Sequence, residues 1–153
     1  MSCAVSIDRH VEMSVCDECG RVSYPRRAVC PSCLSDQVTV SARQATGTVV
    51  SVARVHKSYD PALERNGPWA IGAVTLDAGP LAICFLDCAD SVDAAVVSPC
   101  GSRVQLLSMT FGGEVVRLVA VPEGLSEGPT EPFLRQCDRA FGGAPVNLPL
   151  GPT

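Results

Sequence analysis

Between Gly47 and Val121 the chain alternates apolar and polar positions in short runs. Gly47-Thr48-Val49-Val50-Ser51-Val52-Ala53-Arg54-Val55 mixes β-branched residues with small or polar ones, the pattern of a half-buried strand. A loop is expected from His56 to Pro68, where Asp60-Pro61 and Asn66-Gly67-Pro68 break any periodicity. Trp69 to Leu76 and Leu81 to Leu86 read as two strands, joined by the tight turn Asp77-Ala78-Gly79-Pro80. A short helical turn fits Ser91 to Val97. Arg103 to Leu107 and Val115 to Val121 then read as a fourth and a fifth strand, with the turn Phe111-Gly112-Gly113-Glu114 before the last.

Five short strands with a break between the third and fourth predict a small Greek-key barrel of the OB type. The expected fold class is therefore mainly β. Its parts are an N-terminal lead (1–15), a metal ribbon (16–43), the barrel (44–121) and an irregular Pro/Gly-rich C-terminal tail (122–153) that could rest on a partner. In the lead, Val5, Ile7 and Val11 can pack against the ribbon, and Val38-Thr39-Val40 reads as a short β-like exit from it. The tail holds one helix candidate, Glu131 to Phe141, with Pro129 and Pro132 near its start.

Composition narrows the class. The chain has 153 residues, enough for one ordinary domain or a small module plus a larger one. A hydrophobic content of 46% supports a real core. No apolar run is long enough to span a bilayer, and no basic start followed by an apolar stretch marks export, so the cytoplasm is the expected location. The net charge of −4 and the 5% aromatic content oppose a nucleic-acid module, which needs a basic stripe and stacking platforms. That reading stands as the alternative, because ribbons and OB barrels also occur together in RNA machinery.

The candidate chemistry lies in the cysteines. Cys16-Asp17-Glu18-Cys19 and Cys30-Pro31-Ser32-Cys33 are two C-x2-C knuckles separated by ten residues. Each knuckle can turn two sulfurs toward one point, and two knuckles complete a tetrahedron. Gly20 supplies the positive φ such a turn needs, and Pro31 stiffens the second knuckle. Cys16, Cys19, Cys30 and Cys33 are thus expected to bind zinc. Iron is the lesser alternative, since rubredoxin knuckles share the spacing. Four thiolates leave no open coordination position, so the expected ion is structural.

With Tyr24-Pro25-Arg26-Arg27 between the knuckles and Ala73-Val74-Thr75-Leu76-Asp77-Ala78-Gly79-Pro80 after them, the chain resembles the zinc-ribbon/OB-fold acyl-CoA-associated family over roughly residues 14–121. Gly47-Thr48-Val49 and Gly101-x-x-Val104 fit the same resemblance. It implies an accessory subunit, similar to the small subunit of phloroglucinol acetyltransferase. Such a subunit docks on a thiolase-like or ketosynthase-like acyltransferase, or on a MaoC-like enoyl-CoA hydratase. There it helps bind or channel an acyl-CoA or acyl-carrier thioester. It implies no catalytic residue in this chain. An arginine-rich, lysine-poor composition adds secondary metabolism or lipid and steroid degradation as settings.

Other residues carry weaker chemistry. Arg26 and Arg27, with Arg21, form a basic cluster suited to the phosphates of CoA. His56 closes the first barrel strand and is a candidate cleft residue. A Cys84–His56 dyad would need a lowered thiol pKa. The simpler expectation is that Cys84, Cys88 and Cys100 are small core residues and that Cys3 and Cys137 are tolerated thiols. Trp69 is expected in packing, and Asp87, Asp90 and Asp93 are expected as solvated loop acids.

Overall fold

In the computed structural model, residues 6–87, 98–111, 115–124 and 128–141 are described. The helical turn expected from Ser91 to Val97 lies outside them, as do residues 112–114 of the turn expected from Phe111 to Glu114, together with Cys3, Val5, Cys88, Asp90, Asp93 and the tail beyond Phe141. The strands are β1 (Ser6–Asp8), β2 (His10–Cys16), β3 (Val22–Ser23), β4 (Val38–Val55), β5 (Trp69–Leu76), β6 (Leu81–Leu86), β7 (Arg103–Phe111) and β8 (Val115–Pro122). Two helices accompany them: α1 (Pro61–Arg65) and α2 (Glu131–Phe141). Neither is long and apolar enough to cross a membrane.

The fold is mainly β, with a five-stranded OB barrel after the ribbon. β4 pairs with β5, β5 with β6 and β7 with β8, all antiparallel. An antiparallel β4–β7 pairing and a parallel β6–β8 pairing close the ring. Gly47 sits where β4 meets β5 and β7 together, opposite both Leu76 and Val104. A Cβ there would lie 2.3 Å from the Thr75 carbonyl oxygen, so only glycine permits this closure.

Two apolar clusters follow from the strand alternation. Inward residues, among them Val49, Val74, Leu86, Val104 and Leu106, fill the barrel interior. Val11 and Met13 of β2 join the same cluster, so ribbon and barrel share one core. The second cluster lies on the outer face of β7 and β8, where Leu107, Met109, Val119 and Val121 meet Phe133, Cys137 and Phe141 of α2. The helix expected at 131–141 is thus present and docked on the barrel. Trp69 anchors it, with ring centroids 5.3 Å from Phe85, 6.4 Å from Phe133 and 5.7 Å from Phe141. The Trp69 indole N–H donates to the Leu63 carbonyl at 2.7 Å, which fixes α1 beneath α2. Gln136 reinforces this by donating to the carbonyls of Asn66 and Pro68.

Three features differ from the sequence-based expectation. The Val38–Val40 exit is the start of an 18-residue strand that runs from the ribbon into the barrel. Its first seven residues pair with β2 and its later ones with β5 and β7. The lead, expected to pack against the ribbon, instead meets the barrel: Val11 and Met13 of β2 are buried in the barrel's core cluster, and Ile7 of β1 pairs with Met109 of β7 and is exposed. The loop from His56 to Pro68 contains α1, whose N-terminus is capped by Asp60 accepting from the Ala62 N–H at 2.9 Å.

Asp87 is corrected as well. It is 3% exposed, not a solvated acid. Its carboxylate accepts from the Thr130 backbone N–H at 2.6 Å and from the Thr130 hydroxyl at 2.8 Å. Thr130 directly precedes α2, so this buried carboxylate ties the start of the helix to the end of β6.

Candidate metal centre and neighbouring residues

The two knuckles repeat one backbone pattern. The Cys16 N–H donates to the Arg21 carbonyl and the Gly20 N–H to the Cys16 carbonyl, both at 2.9 Å. Fourteen residues on, the Cys30 N–H donates to the Ser35 carbonyl and the Leu34 N–H to the Cys30 carbonyl, at 2.9 and 3.0 Å. The fifth residue of each turn takes a left-handed conformation: Gly20 with φ 74° and Leu34 with φ 60°. The first fits glycine, whereas the second strains a leucine that is 77% exposed.

This repetition brings the sulfurs together. Cys16 Sγ lies 3.5 Å from Cys33 Sγ, and Cys19 Sγ lies 3.6 Å from Cys30 Sγ. All four sulfurs fall within 4.8 Å of one another. A tetrahedron of sulfurs about 2.3 Å from a central ion has edges of about 3.8 Å, so the set fits one metal ion. Charge supports the same conclusion. Backbone N–H groups of Cys33 and Ser32 draw the Cys30 thiol down to about 6. Cys33 is pushed up to about 12: the Ser35 N–H favours its thiolate, but sharing with the sulfur of Cys16, and then burial, prevail. Four sulfurs this close do not all ionise unless a cation sits among them. Cys16 and Cys30 are buried, while Cys19 and Cys33 face outward.

The other candidates do not assemble into a reactive site. Cys84 is buried, and burial raises its thiol to about 12. His56 is exposed at the end of β4, and no hydrogen bond joins it to Cys84 among the described residues. Burial first, and the charge of Asp87 second, likewise raise Cys137 to about 12. Cys100 is exposed in a turn, rather than a core residue. Trp69 is buried in packing, as expected. In the basic cluster, Arg26 pairs with Glu12 at 3.2 Å, while Arg21 and Arg27 are exposed. The Arg27 backbone is held by Ser14, whose hydroxyl accepts from the Arg27 N–H at 2.8 Å.

Sequence reasoning missed one group of residues. Tyr24, between the knuckles, faces β6 and β8 of the barrel across a cleft of about 360 Å³. Only the three-dimensional pairing of β6 with β8 reveals this neighbourhood.

Comparison with known proteins supports the architecture. The family model described as the rubredoxin-like zinc ribbon domain of ChsH2 matches residues 8–39. The model described as the C-terminal OB-fold domain of ChsH2 matches residues 40–108. Among solved structures, that of an Ltp2-ChsH2(DUF35) aldolase is similar, with a TM-score of 0.58 and 24% identity. The match covers 74% of this chain and 85% of that one. At that identity the likeness speaks for the fold. A search of curated proteins finds no match.

Proposed function

Taking as premise that the chain belongs to the ChsH2 zinc-ribbon/OB-fold family, matched in both of its domains, we propose that it is a non-catalytic subunit of an acyl-thioester enzyme. One observation carries this reading. Its only clustered thiols among the described residues form a closed four-sulfur site, and the buried thiols Cys84 and Cys137 are held protonated. A nucleophile needs the opposite environment. The chain therefore supplies scaffold, and a partner supplies the reacting groups.

The bound ion is zinc, which holds the ribbon and has no open position for substrate. The partner is a thiolase-like or ketosynthase-like enzyme. In the similar solved structure ChsH2 is named together with Ltp2 as an aldolase, which fits carbon–carbon chemistry on a thioester. Arg21 and Arg27, exposed beside the metal site, are the cations best placed to meet CoA phosphates, whereas Arg26 spends its charge on Glu12. The reduced cysteines suit the cytoplasm.

Affinity purification from the native host, followed by mass spectrometry, tests the reading. A thiolase-like, ketosynthase-like or hydratase-like chain in stable stoichiometry is the expected result. Recovery of the subunit without any thioester enzyme would sink it. Elemental analysis of the same sample should give one zinc per chain.

A further inference from the structure

The barrel closes by the parallel pairing of β6 with β8, and that pairing is short: Phe85 with Val119 and Leu86 with Ala120. Before these residues the strands part. Leu81–Cys84 pair with β5 on their other side, and Val116–Leu118 pair with β7. The gap between the strands is the cleft of about 360 Å³, walled by Ile83, Cys84 and Phe85 on one side and Val116, Arg117 and Leu118 on the other. Tyr24 covers it from the ribbon and Ile71 extends its floor along β5.

The walls are apolar and partly wet. Ile83 is 60% exposed and Val116 is 54% exposed, while Cys84 lies buried at 3%. Two polar groups converge on this surface. The Tyr24 hydroxyl has no hydrogen-bond partner among the described residues, although the ring is half-buried and burial raises its pKa. The Arg117 guanidinium is 4.9 Å from the centre of the Phe141 ring and donates to the Val116 carbonyl at 3.2 Å. Its position is therefore set from within the protein. An apolar slot with a few placed polar groups is the usual form of a small-molecule site, and its volume is at the low end of the range of about 300–1,000 Å³ for such sites.

We propose that this open seam of the barrel binds an apolar acyl group, whose carbonyl oxygen accepts a hydrogen bond from Tyr24 while the chain lies between Ile83 and Val116. Arg117 attracts the negative charge that accompanies the group, whether CoA phosphate or free carboxylate. The proposal rests on the reading above that this subunit meets acyl thioesters. It adds the place where the acyl part is held, on the barrel side of Tyr24, which lies between Arg21 and Arg26 in the segment that carries the basic cluster.

Trp69, the single tryptophan, makes the test direct, because its ring packs on Phe85 at the cleft wall. Its fluorescence in the full-length, zinc-loaded chain is followed on titration with decanoyl-CoA, decanoate and CoA. Saturable change with the acyl ligands and none with CoA is expected. Decanoyl-CoA binding tighter than decanoate identifies the thioester as the source, and the reverse order identifies the free acid. Tyr24→Phe should weaken binding about 3- to 10-fold, the worth of one hydrogen bond. Ile83→Glu and Val116→Glu, at exposed positions that the fold tolerates, should abolish it. No saturable response to either acyl ligand, or unchanged affinity in both glutamate variants, overturns the proposal. Co-purification is run on the same variants to separate the two readings. A retained thioester enzyme with no ligand response sinks the seam site alone. Absence of any such enzyme with the wild-type chain sinks the subunit reading.

Discussion

The ribbon and the barrel reach stability by different routes. In the ribbon turns the buried side chains are Cys16, Ser23 and Cys30, so almost no hydrocarbon is removed from water there. The ribbon residues Glu18, Arg21, Arg26, Arg27 and Leu34 are all exposed. The barrel instead buries an interior cluster and an outer one beneath α2. A segment this small has too little core to fold by burial alone, and an ion held by the four clustered sulfurs would replace the missing core. The comparison separates what chelation should destroy from what it should spare.

The largest effect should come from Cys30→Ser. It removes a buried ligand, and structural zinc sites in small domains carry about 10–16 kcal/mol of apparent binding energy. Metal content should fall to nearly nothing. Amide exchange should accelerate across 16–37 while β5 and β6 stay protected. Equal loss of protection in both regions would show that they are one cooperative unit. Phe133→Ala probes the other side. This ring is 2% exposed and packs on Trp69, so its loss should cost about 3–5 kcal/mol. Urea unfolding measures that cost, and cobalt spectra of the ribbon should not change.

Leu34→Gly should act in the opposite direction. It relieves a leucine held at φ 60°, with an expected gain of about 0.5 kcal/mol after the added flexibility of the unfolded chain. Competition for metal with a chromogenic chelator would detect it as slightly tighter retention, and looser retention would contradict the strain. The smallest effect concerns the barrel's rim. Arg103 grips Asp77 at 2.7 and 2.6 Å and Glu123 at 2.9 Å. Arg103 first, and Thr46 second, hold the Asp77 carboxyl down at about 2 from an ordinary 3.8. A lowered carboxyl stabilises the fold fully above its unfolded value and stops doing so as pH falls through its folded one. Thermal melts between about pH 4 and 2 should therefore lose less stability in Asp77→Asn than in the parent chain. These groups are about half exposed, so salt should shrink the difference.

The cysteine site was legible because its signal is local: two knuckles with fixed spacing announce a tetrahedron whatever surrounds them. The strands β5 and β6 were legible for a similar reason, since alternation and a Gly79-Pro80 turn delimit them. The continuity of β4 was not, because Ser41, Arg43 and Gln44 are polar and Ala42 to Gln44 are exposed, and their pairing with β2 holds them extended. Asp87 looks like any loop acid until Thr130, distant in sequence, is brought against it. The cleft at Tyr24 was hidden for the same reason: it arises where two strands part, and no residue in either encodes a gap. Leu34 was also missed, because nothing but backbone geometry distinguishes it from other exposed residues.

The long strand β4 has a mechanical consequence. Its first residues are stitched to β2 beside Cys16, and its last to Trp69, which carries α1 and α2. One rod of hydrogen-bonded backbone thus links the cysteine cluster to the helix cap. A neighbour that seizes the knuckles also sets the angle of the barrel. Any twist applied at one end must be absorbed at the irregularity between Val49 and Ser51, the one place where the pairing with β5 skips a step.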